Sequence, residues 1–178
     1  MNRWGRKAVK DLDEGMSIVE VVVASAISLL LMLVVSGLFI NGLQANASSL
    51  DRDGATAQAQ TLALSLQTSI RDADITSVTV ASGQVTARVS VNGSWVCRTW
   101  TLASGQLTYK ASKTATPAVL ASGVAGTLDR TGRAFATISG SAGSVEYSLG
   151  VTRGAATAAA AGTVTAQGKA GDSGGETC

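Results

Sequence analysis

Gly15-Met-Ser-Ile-Val-Glu-Val-Val-Val-Ala-Ser-Ala-Ile-Ser-Leu-Leu-Leu-Met-Leu-Val-Val-Ser-Gly-Leu-Phe-Ile40 decides how the rest of the chain is read. Between Ile18 and Ile40 the only ionisable side chain is Glu20. As a helix this run spans roughly 34 Å, against a bilayer hydrocarbon core of about 30 Å, so it is long enough to cross a membrane. Ahead of it stand Arg3, Arg6, Lys7 and Lys10, with Asp11, Asp13 and Glu14 closer to the apolar run. Cations flanking an apolar helix favour the cytoplasmic side, which predicts a single pass with the N-terminus inside and the bulk of the chain outside. Glu20 is the anomaly. A carboxylate in lipid costs a few kcal/mol unless it is paired, protonated or snorkelling to the headgroups.

Gly15-Met-Ser-Ile-Val-Glu20, followed by an unbroken apolar run and preceded by a short basic leader, resembles the type IV prepilin signal. That family comprises type IV pilins and the pseudopilins of type II secretion and DNA-uptake systems. The resemblance covers about residues 1 to 40. It implies that a membrane prepilin peptidase cuts between Gly15 and Met16 and that the new amine of Met16 is N-methylated. It implies that Glu20 pairs with such an amine, generally a neighbour's, during assembly. The partners implied are the peptidase, membrane lipid and other pilin or pseudopilin subunits, and no cofactor. Two departures stand out: Met16 where phenylalanine is commonest, and Gly37 where many major pilins carry proline. Glycine and proline both weaken a helix, so local loosening is expected near Gly37.

An ordinary secretory signal peptide is the rival reading, with Ala45-Asn-Ala47 as its cleavage site. Its apolar region would be longer than the roughly 7–15 residues usual for such a signal, and it leaves Glu20 unexplained. The two readings differ in the mature N-terminus, Met16 in one and Ser48 in the other.

Beyond Ile40 the composition turns polar, and Ala55, Ala59, Leu62, Ala63, Leu66, Ile70 and Ala73 recur at helical spacing. One helix is predicted over about 17–73, apolar in its first half (16–40) and amphipathic in its second (41–73). Asn41-Gly42 and Asp53-Gly54 are its weak points, and Arg71-Asp-Ala-Asp74 ends it.

The period then changes to two. Ser82-Gly83, Asn92-Gly93 and Ser104-Gly105 are turn dipeptides between alternating runs. Read as two-residue hairpin loops, they set Val80 opposite Val85, Val78 opposite Ala87, Val89 opposite Val96, Val85 opposite Trp100, Leu102 opposite Leu107 and Trp100 opposite Tyr109. All three turns agree on one apolar face that also includes Val91, and a one-residue slip at any of them would break that agreement. Residues 76–111 therefore read as a four-stranded antiparallel meander matched to the helix stripe. Arg98 falls on this apolar face and is expected to snorkel at its margin. Further strands are expected at 119–128, 134–139 and 144–153, with Asp129-Arg-Thr-Gly132 as a turn. The fold class is α+β: a long N-terminal helix packed on an antiparallel sheet. The head extends over 74–153, and 154–178 reads as a flexible low-complexity tail, too poor in large apolar residues to fold alone.

The chain has 178 residues, room for one domain after the apolar segment, and a net charge of +2, too small to imply nucleic acid. It contains no histidine, which removes the commonest general base and metal ligand. Gly123-Val-Ala-Gly126 lacks the lysine context of a phosphate loop. Asp72 and Asp74 read as helix-end residues serving the next turn rather than as calcium ligands. No enzyme is expected. A structural filament subunit is the leading class. The alternative is a filament-tip module for DNA or a surface, using Arg88, Arg98, Lys110, Arg130 and Arg133. The cysteines leave two readings. Cys97 lies across from Arg88, on the sheet face away from the helix, within reach of a tail ending at Cys178; either the two pair in a disulfide or Cys97 is half-buried and Cys178 is free.

Overall fold

The computed structural model describes residues 17–81, 83–129, 132–169, 176 and 178. Gly15 and Met16, the expected cleavage and methylation positions, lie outside the described residues. The chain divides into two compact units, Met1–Ala45 and Asn46–Cys178.

Helix α1 is Ile18–Arg71. In the first unit its side chains from Ile18 onward are all exposed. Helical hydrogen bonding continues through Gly37, where loosening was expected, and through Asn41-Gly42 and Asp53-Gly54. A glycine costs a helix about 1 kcal/mol relative to alanine, too little to break it between strong neighbours. At Gly54 the missing side chain serves packing instead: an added β-carbon would stand 2.7 Å from Nη1 of Arg153.

In the second unit α1 buries one face, made of Ala55, Ala59, Leu62, Ala63, Leu66, Ser69 and Ile70. This is the stripe read from the sequence with Ser69 added and without Ala73, which is buried beyond the end of the helix and bridges to Val89. Beyond Arg71 the backbone leaves the helix, and Asp74 organises the exit. Its carboxylate Oδ1 accepts from the Thr76 amide at 3.0 Å and from the Thr76 hydroxyl at 2.9 Å, an Asx-type turn.

The first sheet is antiparallel throughout, in the order β1 (Thr79–Ala81), β2 (Gln84–Val91), β3 (Ser94–Ala103), β4 (Gln106–Lys110), β5 (Ala118–Ser122). Its register pairs Val80 with Val85, Val85 with Trp100, Val89 with Val96, Trp100 with Tyr109 and Leu102 with Leu107. These are the pairings deduced from the turn dipeptides. Asn92-Gly93 and Ser104-Gly105 have positive φ at both positions (51° and 79°, 51° and 73°). Such turns twist with the flanking strands, and their two-residue length sets the register. Val78 stands outside β1 but packs on the core half-buried, and Val91 and Val96 are also half-buried.

Two expectations are corrected. The single strand expected at 119–128 is broken at Gly123 (φ +70°), so β5 ends the first sheet and β6 (Val124–Gly126) enters a second. The second sheet is built on β8 (Ser144–Arg153). β6 pairs with Leu149–Val151 and β7 (Phe135–Thr137) with Val145–Tyr147, so the two lie end to end along one edge of β8. The second correction concerns 154–178. Residues Ala156–Thr165 form β9, paired with β8 along its whole length. Its residues are small, but β8 supplies the ladder partners and the large side chains that an isolated Ala/Thr/Gly segment lacks. At Gly162 the absent β-carbon leaves room for the Tyr147 hydroxyl.

One core joins these layers. Leu62, Leu66 and Ile70 of α1 cluster with Val85, Trp100 and Leu107 of the first sheet and with Val145, Tyr147, Leu149 and Val151 of the second. Trp100 and Tyr109 meet with ring centroids 5.3 Å apart and planes tilted by 45°. Trp100 is buried and Tyr109 half-buried, and aromatic pairs at such distances add about 1 kcal/mol beyond the area they remove from water.

Candidate functional site

The first unit presents an apolar helical surface with one carboxylate. Glu20 lies in the first turn of α1, where the Glu20 and Val21 amides both donate to the carbonyl of Ser17, at 2.9 and 3.2 Å. Around it Ile18 is 82% exposed and Val19 69%, and farther along Met32 is 73% and Leu38 69%. None of the apolar stretch of this helix is buried. By length and composition the helix is sufficient to cross a membrane. A carboxylate near a helix N-terminus is favoured by the local dipole and by the unpaired amides of the first turn.

In the second unit the cysteines close a covalent loop. Cys97 and Cys178 form a disulfide across a sequence separation of 81. β4 leaves β3 at the Thr99–Lys110 pair, which opens the edge of β3 before Thr99. Glu176 covers it. Its amide donates to the Trp95 carbonyl at 2.9 Å, and its carboxylate Oε2 accepts from the amides of Cys97 at 3.0 Å and Lys113 at 3.1 Å. The Cys97 and Lys113 amides hold this carboxyl below the usual glutamate range. Neither the periodicity nor a motif singles out Glu176. Only its place two residues before a cysteine bound to β3 could have pointed to it.

Asp74 and Arg88 form the second polar cluster. Asp74 is 1% exposed, and its Oδ2 is ion-paired with Nη2 of Arg88. Burial by itself raises the Asp74 carboxyl, but the Thr76 amide, the Arg88 guanidinium and the Thr76 hydroxyl together outweigh it and hold it below the ordinary range. Both carboxylate oxygens are thus used inside the protein, while Asp72 is exposed. The pairing with Arg88 was not read from the sequence, because it joins the helix exit to the far face of β2.

Among the described residues, the candidate nucleic-acid contacts are not gathered into one free basic patch. Arg88 binds Asp74 and lies 5.3 Å from the ring centroid of Trp95. Arg98, expected at the sheet margin, turns inward and donates to Oγ of Ser69 at 3.3 Å, because Ala87 opposite it leaves space. Lys110 donates to the Lys113 carbonyl at 3.1 Å, and Arg133 pairs with Asp129 at 2.6 Å. Arg130 lies outside the described residues.

No protein-family model, no curated protein and no solved structure matches this chain.

Proposed function

We propose that this protein is a structural subunit, of the minor pilin or pseudopilin kind, in a type IV pilus-like or type II secretion-like filament. In this reading the apolar half of α1 holds the chain in the cytoplasmic membrane with the head outside. A prepilin peptidase cuts after Gly15, the Met16 amine is methylated, and the same helix then packs against those of other subunits. The observation that carries the reading is the exposed apolar surface of α1 with Glu20 as its sole charge, directly behind Gly15-Met16. So large an apolar surface has to be covered by lipid or by protein. Moving from lipid into a helix bundle changes little in hydrophobic energy, so polar contacts select the arrangement. Glu20 against a neighbour's terminal amine in a low dielectric would set the axial register more than it adds stability.

The test is the intact mass of the membrane-extracted protein made in a host with a prepilin peptidase. A mature form beginning at Met16, heavier by one methyl group, is expected. Gly15→Ala should still be cut, and Gly15→Leu should accumulate as precursor, since the resemblance implies a small residue before the cut. A mature form beginning at Ser48, or no cleavage, refutes the reading.

A further inference from the structure

Most open strand edges in this head are shielded by the chain itself, as natural sheets require to remain unassociated. The edge of β2 beyond β1 is taken by the helix exit: the backbone amide of Asp74 donates to the Arg88 carbonyl at 2.9 Å, and Ala73 bridges to Val89. The edge of β3 beyond β4 is taken by Glu176. β1 has only three residues. β5 is short, follows Pro117, and sits beside a register shift at Leu107/Thr108. β6 and β7 together occupy one edge of β8.

β9 has none of these devices. Ala-Thr-Ala-Ala-Ala-Ala-Gly-Thr-Val-Thr, residues 156–165, contains no charge and no proline. Among the described residues no backbone group pairs with its outer edge. The ladder shows which groups face outward. Ala166 donates to the Gly143 carbonyl at 3.0 Å, and the pairing register makes Val164, Gly162, Ala160, Ala158 and Ala156 the residues bonded to β8. Thr157, Ala159, Ala161, Thr163 and Thr165 therefore aim their N–H and C=O groups away from β8, and their side chains are exposed.

We infer that the outer edge of β9 is a strand-addition surface for β9 of a second copy of this chain, antiparallel, with Ala161 opposite Ala161. This register sets Thr157 opposite Thr165 and Ala159 opposite Thr163, so each outward N–H and C=O finds its counterpart. The facing side chains are threonine and alanine, with no like charges to repel, and cross-strand threonine pairs are favourable. A charged edge would oppose its own copy; this one is self-complementary. The surface is independent of the filament reading, because it lies in the head and requires neither Glu20 nor cleavage after Gly15.

The test uses the full chain in its membrane, carrying single cysteines and treated with a short thiol–thiol cross-linker; the native cysteines are already paired. Residues in a hydrogen-bonded antiparallel pair stand about 5.5 Å apart at Cα, within reach of such a bridge. Ala161→Cys is expected to give covalent dimer several-fold above Val119→Cys, an exposed control on β5. Thr157→Cys and Thr165→Cys should each cross-link poorly alone and well when the two variants are co-expressed. Ala161→Lys should reduce the dimer while leaving the melting of the head unchanged. Ala161→Cys dimer no greater than the Val119→Cys control overturns the inference. So does equal self-linking by Thr157→Cys and Thr165→Cys, which would report random collision. A dimer held only through α1 would leave Ala161→Cys unlinked and overturn it equally, while the Met16 terminus of the mature protein could still stand.

Discussion

At the scale of single residues, two carboxylates have opposite situations. Glu20 is exposed in an apolar setting, and Asp74 is buried in a polar one. Glu20→Ala removes the one charge from the apolar helix, so membrane insertion should hold or improve. Incorporation into filaments, measured by immunoblot of sheared filament fractions, should fall severalfold. Wild-type incorporation would remove the pairing role assigned to Glu20. Asp74→Asn leaves Arg88 without its counter-charge in a largely buried site, which should cost on the order of 3 kcal/mol. The pH dependence follows from the sign of the shift. The folded carboxyl titrates below its unfolded value of about 3.9, so its contribution is complete above that value and is lost as pH falls through the folded one. Urea midpoints between pH 2 and 6 should therefore show a steeper acid loss for the wild type than for Asp74→Asn. Parallel curves would mean that Asp74 is not the group responsible.

At the scale of elements, Glu176 and Cys178 are held by contacts distant in sequence. Glu176 bonds to β3 and to the loop at Lys113, and Cys178 ties the same segment to Cys97. Closing a loop of this length stabilises by about 4 kcal/mol in the chain-entropy model. Cys178→Ser, or reduction with a dithiol, should lower the stability of the head by up to that amount in denaturant melts. Hydrogen exchange should also rise at the Cys97 and Lys113 amides, which donate to Glu176. Unchanged protection at both amides would show that the Glu176 contacts stand without the disulfide.

At the scale of the whole molecule, the large side chains of the core all lie at or beyond Leu62, and the exposed apolar surface is concentrated before Asn46. The chain is therefore expected to separate cleanly. A version beginning at Asn46 should remain in solution without detergent and melt within a few degrees of the head in the full chain. A loss of cooperative melting would mean that the first unit contributes to the core.

Much of this was determined by sequence alone, for a local reason. The helix stripe from Ala55 to Ile70 and the pairings of Val85 with Trp100 and Trp100 with Tyr109 depend on periodicity and on two-residue turns, both written in adjacent residues. The apolar run with its solitary Glu20 is likewise a linear feature. Tertiary structure alone decided the rest. Gly123 divides one apparent strand between two sheets because its backbone turns left-handed, which glycine permits but does not require. Residues 156–165 look too poor in apolar side chains to fold, yet they are a strand because β8 provides the ladder and the large side chains beside them. Asp74 reaches Arg88, and Glu176 reaches the amides of Cys97 and Lys113, only once the sheet is assembled. Such pairings join residues far apart in the chain, and their energy depends on burial and distance, which no local pattern of residues encodes.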